Sequence, residues 1–259
     1  MKYYVVSDIH GFYSELIKSL TESGYFSDTE PHKLIICGDL LDRGTEINEL
    51  VEFILELIKK DEVILIRGNH EDLLVNLVEY IYNYLPNPEY THHGANGTFK
   101  TALSLAKMKK TDVELFPESF RNRVLNSPFV RKIMSNMVDY YEIDNYIFVH
   151  GWIPCIVEKA RGREDKYIYW KNWRNAQRDD WAKARWYNGM AAHKWGVKEK
   201  EKTIVCGHYH TSWGHSVING TCPEFGEGAD FSPYYDEGII AIDGCTSYTG
   251  RVNCIIINE

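Results

Sequence analysis

The residues from Leu34 to Gly44, LIICGDLLDRG, constrain the fold more than any other stretch of this 259-residue sequence. An apolar run stops at Gly38 and is followed by Asp39, Asp42 and Arg43, a pattern typical of a buried strand with a polar end. Charged groups without partners are too costly inside a sheet. We therefore expect these side chains at the carboxyl edge of a sheet, where ligands of α/β proteins bind. A turn with a surface ion pair is the alternative, and this stretch alone does not decide between them.

The first 72 residues alternate between strand-like apolar runs and amphipathic helical segments. We predict strands over 2–7, 33–37 and 62–67, and helices over 12–23 and 45–60. Each strand ends in a polar cluster. Such alternation favours a parallel sheet covered by helices on its faces.

The pattern changes after residue 72. The sequence predicts a mostly helical insertion over about 73–137. It predicts a cap of loops and helices over about 152–196, a segment rich in Trp and Arg. Residues 220–235 are predicted as a loop. Further strands are predicted over 139–150, 202–206, 238–243 and 251–257. We therefore interpret residues 1–259 as a single domain that carries an insertion and a cap.

Composition excludes several classes of partner. The net charge is −8 and the basic residues are mostly scattered, whereas a protein that binds duplex nucleic acid usually needs a basic stripe. No apolar run approaches the roughly 20 residues that span a membrane. The N-terminal apolar run is too short for a signal peptide, so a cytoplasmic location is expected. The oligomeric state is left open.

Five predicted strands end in side chains of the metal-ligand type. These are Asp8 and His10, Asp39, Asn69 and His70, His150, and His208 and His210. A single histidine there is usually just a polar residue, but in a parallel sheet such ends meet at one edge. Mixed imidazole, carboxylate and amide ligands suit Mn²⁺, Fe²⁺, Zn²⁺ or Co²⁺ better than Ca²⁺. The number of candidate ligands exceeds what one ion needs, so Asp39 could bridge two ions about 3.5–4 Å apart. Such a pair of ions is suited to phosphoryl displacement.

The segments DIHG, GDLLDRG, GNHED, VHG and GHYH occur in this order between Asp8 and His210. Together they resemble the calcineurin-like metallophosphoesterase superfamily, in particular its phosphoprotein phosphatase branch and the bacterial diadenosine tetraphosphatase-like enzymes. The resemblance implies an α/β fold, a four-layer αββα sandwich with a helical insertion and cap. It also implies two divalent metal ions (Mn, Fe, Zn or Co) and direct attack on phosphorus by a hydroxide that bridges them.

The resemblance assigns a role to each expected ligand. Asp8, His10 and His210 would hold the first metal, Asp39 would bridge, and Asn69, His150 and His208 would hold the second. The GHYH segment departs from the GHTP of phosphoprotein phosphatases and follows the GHxH pattern of the wider superfamily. This departure weakens the case for a phosphoprotein substrate.

Other residues of these segments suit catalysis and substrate binding. His70 directly follows Asn69, so it could protonate the leaving-group oxygen, and Asp42 could orient it. Arg43 offers a planar fork to phosphate oxygens; a salt bridge between Asp42 and Arg43 is the alternative. Arg185 resembles the second phosphate-binding arginine of the family, or is a solvated arginine on the cap. We expect Arg43, Asn69 and Arg185 to contact the substrate.

Two features of the inserted segments have two interpretations each. Residues 92–98, HHGANGT, resemble a Gly-rich segment of the diadenosine tetraphosphatase-like enzymes. They could line the substrate cleft or form a plain loop before a helix. The aromatic residues of the cap could stack on a nucleobase, but packing of the cap onto the core is the favoured interpretation.

The main functional interpretation is a phosphoric monoester hydrolase, a serine/threonine-type protein phosphatase acting on a phosphoprotein. The alternative is a hydrolase of diadenosine polyphosphates or other nucleotide polyphosphates, and a phosphodiesterase is a third interpretation. The non-enzyme alternative is a metal-free binding module on a phosphatase fold. Every expected ligand position holds a residue that can bind a metal, so no substitution in the sequence supports a metal-free binding module.

Overall fold

Two β-sheets lie at the centre of the computed structural model, which describes residues 1–159 and 165–258. The strands are β1 (Lys2–Val6), β2 (His32–Cys37), β3 (Val63–Ile66), β4 (Tyr141–Glu142), β5 (Tyr146–Phe148), β6 (Ile156–Glu158), β7 (Lys166–Ile168), β8 (Thr203–Cys206), β9 (Tyr234–Asp236), β10 (Ile239–Ala241) and β11 (Ile255–Asn258).

The helices surround these sheets. The α-helices are α1 (Tyr13–Glu22), α2 (Ile47–Lys59), α3 (Asn69–Glu79), α4 (Ile81–Tyr84), α5 (His92–Ala95), α6 (Thr98–Ala106), α7 (Lys110–Leu115), α8 (Pro117–Leu125), α9 (Arg178–Ala184), α10 (Gly189–Lys194) and α11 (Thr246–Thr249). Shorter helical turns cover Tyr25–Ser27, Pro88–Tyr90, Phe129–Ile133, Met134–Asn136, Trp173–Asn175 and Gly214–Ile218.

Each sheet has a parallel centre. The first has the order β11-β1-β2-β3, in which β1, β2 and β3 are parallel and β11 is antiparallel. The second has the order β4-β5-β8-β10-β9, in which β5, β8 and β10 are parallel. The strands β6 and β7 form a separate antiparallel pair. Because parallel strands end at the same edge, the loops after β1, β2, β3, β5, β8 and β10 are free to meet.

Three apolar cores separate the layers. Tyr4 and Val6 of β1 face the core under the flanking helices, whereas Val5 faces a core shared with Phe148 and Val205 of the second sheet. This alternation is the two-residue period of a strand buried on both faces. A third core, which includes Trp152, lies between the second sheet and the cap. The order helix, sheet, sheet, helix confirms the αββα sandwich.

The inserted segments lie outside the sheets. Residues 73–137 contain most of α3 and all of α4 to α8. Residues 152–196 contain α9 and α10, but also the strands β6 and β7, where we expected only loops and helices; residues 160–164 lie outside the described part. No helix among the described residues is long and apolar enough to cross a membrane. The interpretation as a single domain with an insertion and a cap stays a prediction.

The loop expected over 220–235 is wrong at its end, because Tyr234–Asp236 forms β9 at the edge of the second sheet. The three missed elements, β6, β7 and β9, are strands of three residues with few buried side chains. They have no apolar run to reveal them. Pairing with β10, or within the β6–β7 hairpin, defines them instead.

Gly38, directly after β2, lets the two sheets approach closely at this edge. Its φ is +85°, and a Cβ there would lie 2.5 Å from Nδ1 of His150 and 2.8 Å from Cα of Gly68. Both neighbours sit after strands, one in each sheet. A larger residue would therefore force the strand ends apart.

We predict that Gly38→Ala lowers the free energy of unfolding by about 3 kcal/mol or more, since it combines a left-handed backbone with overpacking. Gly196→Ala is the matched control, because Gly196 has the same φ of +85° but no described atom lies within 4 Å of the added Cβ. It should cost only about 1 kcal/mol. Urea unfolding of both variants measures the difference, and equal losses would contradict the close approach.

Candidate active site

The expected ligands lie at the shared edge of the two sheets, and most are buried. Asp8, His10, Asp39, Asn69 and His150 are all at most 2% exposed. They come from the loops after β1, β2, β3 and β5. Residues separated by more than 140 positions in the sequence therefore share one buried polar site.

Two groups of ligand atoms share the Asp39 carboxylate. In each group the atoms lie within 4.8 Å of one another; the first joins Asp39 to His10 and His70, and the second joins it to His150 and His208. Oδ2 of Asp39 is 3.7 Å from Nε2 of His10, and Oδ1 is 3.3 Å from Nε2 of His150. A carboxylate that faces both groups is placed to bridge two ions.

Hydrogen bonds orient the two imidazoles beside Asp39. Nδ1 of His10 donates to the carbonyl of Leu41 at 3.1 Å, and Nδ1 of His150 donates to the carbonyl of Cys37 at 2.7 Å. Both rings therefore direct Nε2 towards Asp39. Metal-ligating histidines usually have their second nitrogen held in this way, so the donor set fits a borderline divalent ion.

The electrostatics of the site also call for cations. Burial lowers the pKa of His208 to about 3 and lowers that of His10 well below its usual value. Burial opposes the charge of His150 as well, but the carboxylates of Asp39 and Asp8 outweigh it and raise the pKa to about 10. The proton on His150 thus compensates buried negative charge, and metal binding would release it.

Two further expected ligands belong to the same site. Oδ2 of Asp8 accepts a hydrogen bond from the backbone N–H of His208 at 2.9 Å. Oδ1 of Asn69 lies 2.7 Å from Nε2 of His150. Asp8 is not a member of either compact group, but it lies next to the second.

The described contacts of His210 are with residues outside the two groups around Asp39, and its role as a ligand of the first metal stays a prediction. Its Nδ1 lies 3.0 Å from Oγ of Ser212, and its Nε2 lies 3.3 Å from Oε1 of Glu224. The ring stacks on that of Tyr209. His208, two residues earlier, has a φ of +66°, and the chain turns there before it reaches His210.

The side chains of His70 and Asp42 are in direct contact, as the predicted acid–base pair requires. Nδ1 of His70 lies 2.7 Å from Oδ2 of Asp42, and the same oxygen accepts a hydrogen bond from Oγ1 of Thr98 at 2.7 Å. Burial lowers the pKa of His70, but the charges of Asp39 and Asp42 outweigh it, so the net shift is upward. The pair therefore favours a protonated imidazole at the site.

Arg43 lies against the same histidines. Its guanidinium nitrogens are 2.9 Å from Nε2 of His10 and 3.4 Å from Nε2 of His70. The described ion pairs do not join Arg43 to Asp42, so the alternative of a salt bridge within the turn is not supported. Because Arg43 is exposed, its guanidinium can also contact an anion that lies beside the two histidines.

Arg185 is buried but has other partners than Arg43 or His70. Its guanidinium forms ion pairs with Asp72 at 3.3 Å and with Asp139 at 3.2 Å. It is therefore not the solvated arginine of the alternative interpretation. Its contact with substrate stays a prediction.

The segment 92–98 packs against Asp42 and Arg43 of the site. Thr98 bonds to Asp42 as described above, and a Cβ on Gly97 would lie 2.5 Å from the backbone nitrogen of Arg43. Residues His92–Ala95 form α5, so the segment is helical rather than an open loop. Its described contacts position Asp42 and Arg43.

Sequence reasoning missed two buried acids of the site. Glu71 accepts hydrogen bonds from the backbone N–H groups of Gly68, Asp39 and Leu40, and thereby ties the loop after β3 to the loop after β2. Asp243 follows β10; burial and the charge of Asp8 raise its pKa. The sequence did carry a signal for Asp243. Like Asp39, it lies just after a parallel strand and next to a glycine.

The comparison with protein families agrees with this geometry. A family model described as calcineurin-like phosphoesterase matches residues 1–212. The chain belongs to this family. A calcineurin-like phosphoesterase is a metal-dependent hydrolase of phosphoric esters or anhydrides, so the non-enzyme interpretation is not supported.

Two curated relatives and one solved structure illustrate the likeness. The asymmetrical bis(5'-nucleosyl)-tetraphosphatase PrpE of Bacillus velezensis is 33% identical over 120 residues, which span 44% of this chain and only 45% of the relative. PrpE of Bacillus subtilis is 28% identical over 221 residues, 78% of this chain and 82% of the relative. A cold-active protein-tyrosine phosphatase of a Shewanella species shares the fold, with a TM-score of 0.55, 15% identity and coverage of 100% of this chain and 75% of its own.

We predict that Thr98→Val lowers the rate of phosphoester hydrolysis by about tenfold and leaves the metal content unchanged. The valine removes a hydrogen bond to a charged group, worth about 1.5–3 kcal/mol, so Asp42 holds His70 less firmly. Steady-state hydrolysis of p-nitrophenyl phosphate, with metal analysis of the same samples, measures both quantities.

Thr101→Val is the matched control on the same helix. The Thr101 side chain is also buried, but its hydroxyl has no hydrogen-bond partner among the described residues. Its removal should leave activity unchanged and should not lower stability. Equal activity of the two variants would exclude the positioning role of Thr98.

Proposed function

We propose that this calcineurin-like phosphoesterase uses two divalent cations to hydrolyse nucleoside polyphosphates. Asp39 would be shared by both cations. The other ligands would be His10 on one side and His150 and His208 on the other. His70 would then be left to act as an acid. The observation that carries this proposal is the Asp39 carboxylate shared between the groups, with Arg43 and His70 beside it. Mn²⁺, Fe²⁺, Zn²⁺ and Co²⁺ all suit the donor set.

When bound, the cations supply Lewis-acid activation of water and neutralise charge on the phosphoryl group. The residues of the chain do the rest. The Arg43 fork holds the oxygens of the phosphoryl group at the edge of the site. His70 donates its Nε2 proton to the leaving-group oxygen, while Asp42 holds Nδ1 and keeps the ring oriented.

The choice of substrate rests on the relatives. The B. subtilis relative, which matches over most of both chains, is named a bis(5'-nucleosyl)-tetraphosphatase. This name favours the alternative interpretation, a hydrolase of nucleotide polyphosphates, over a serine/threonine-type protein phosphatase. The phosphatase structure at 15% identity supports the fold alone. The GHYH segment, which departs from the GHTP of phosphoprotein phosphatases, points in the same direction.

A parallel substrate panel tests the proposal. Mn²⁺-loaded protein is assayed on diadenosine tetraphosphate, a phosphoserine peptide and a phosphotyrosine peptide, with a chelated sample as the control. We expect kcat/KM for the dinucleotide to exceed that for either peptide by at least about 100-fold, a difference of about 3 kcal/mol in transition-state stabilisation. Faster hydrolysis of a peptide would replace the proposal with a protein phosphatase.

A further inference from the structure

A cleft lies beside the candidate active site, and its lining is largely aromatic. It has a volume of 630 Å³, within the range of about 300–1,000 Å³ that is common for small-molecule sites. The rings of Tyr167, Trp170, Trp186 and Tyr187 line it. The hairpin β6–β7 and the helix α9 supply much of the remaining lining.

Trp186 connects this cleft to the active site. Its ring lies 5.8 Å, edge to face, from the ring of His208. His208 belongs to the second ligand group, and its ring is 5.1 Å from that of His150. A molecule whose phosphate occupied the ligand groups would therefore have its next portion beside Trp186.

Packing explains most tryptophans of the cap but neither Trp186 nor Trp195. Trp152, Trp173 and Trp181 are at most 3% exposed and belong to the third core. Trp186 is 49% exposed, although it lines a cleft. Together with Tyr167, Trp170 and Tyr187 it lines one cleft, and a contiguous apolar surface of this kind is typical of a ligand-binding site.

The polar residues of the cleft suit a nucleoside. Lys159 and Lys183 are exposed cations that can pair with phosphate oxygens, whereas Asp165 and Asp180 can accept hydrogen bonds from hydroxyl or amino groups. Aromatic faces add stacking for a base, which is tolerant of base identity.

We propose that this cleft binds the nucleoside portion of the substrate, with its base stacked on Trp186. The proposal names a specificity site and rests on the proposed hydrolysis of nucleoside polyphosphates. It explains how a phosphate-directed metal site would select nucleotides over other phosphorylated molecules.

The test is a binding comparison that does not require turnover. The Mn²⁺-loaded protein is titrated with α,β-methylene adenosine diphosphate and with methylenediphosphonate, which has the same two phosphorus centres but no nucleoside. We expect the nucleotide to bind at least about tenfold tighter, since a stacked base is worth about 1–3 kcal/mol. Trp186→Ala should abolish this preference and leave methylenediphosphonate binding unchanged, while Trp186→Phe should retain part of it.

Trp195→Ala is the matched control, because Trp195 is 44% exposed but does not line the cleft; it should keep the preference. Equal binding of the two probes by the unaltered protein, or a preference that survives in Trp186→Ala, would overturn the cleft assignment. Hydrolysis assays answer a separate question: a nucleoside preference without hydrolysis of diadenosine tetraphosphate would overturn the proposed function and keep the cleft.

Discussion

The rest of the site depends on how the charge of the buried Asp39 carboxylate is compensated. It is 2% exposed, and its ion-pair partners among the described residues are the imidazoles of His10, His70 and His150. A buried carboxylate needs compensating charge, part of which the protonated imidazole of His150 supplies, and the imidazole nitrogens that face it need a partner once they lose their protons. Cations placed between these groups satisfy both requirements, which is why the fold, the donor types and the proposed chemistry agree.

Left-handed backbone conformations are frequent at the residues around Asp39. Left-handed conformations, with φ between +52° and +78°, occur at Asp8, His10, Asp39, Asp42, Arg43 and His208. Each costs on the order of 1–3 kcal/mol for a residue other than glycine and persists only where its surroundings fix it. The Glu71 carboxylate and the close approach at Gly38 provide such constraints. The strain concentrates where the side chains must converge, as is common at functional sites.

Much of this arrangement could be predicted from the sequence, and the rest depends on tertiary contacts. The parallel sheets and the convergence of Asp8, Asp39 and His150 followed from polar residues at the ends of apolar runs, whereas the four-layer sandwich followed from the resemblance to the metallophosphoesterase superfamily. The contacts of His210 could not be foreseen, since a spacing of two residues after His208 says nothing about the turn between them. Thr98 and Glu71 lie in the segments HHGANGT and GNHED, but their roles depend on contacts with distant loops that no local pattern reveals. The strands β6, β7 and β9 are short and exposed, so only their pairing partners define them.

The most direct test of the central claim is the electron paramagnetic resonance spectrum of the protein with two equivalents of Mn²⁺. Ions that share the Asp39 carboxylate would lie about 3.5–4 Å apart, close enough for magnetic exchange. The account predicts an exchange-coupled dinuclear spectrum that is lost in Asp39→Asn. A spectrum of isolated Mn²⁺ ions at full occupancy, unchanged by that substitution, would contradict it.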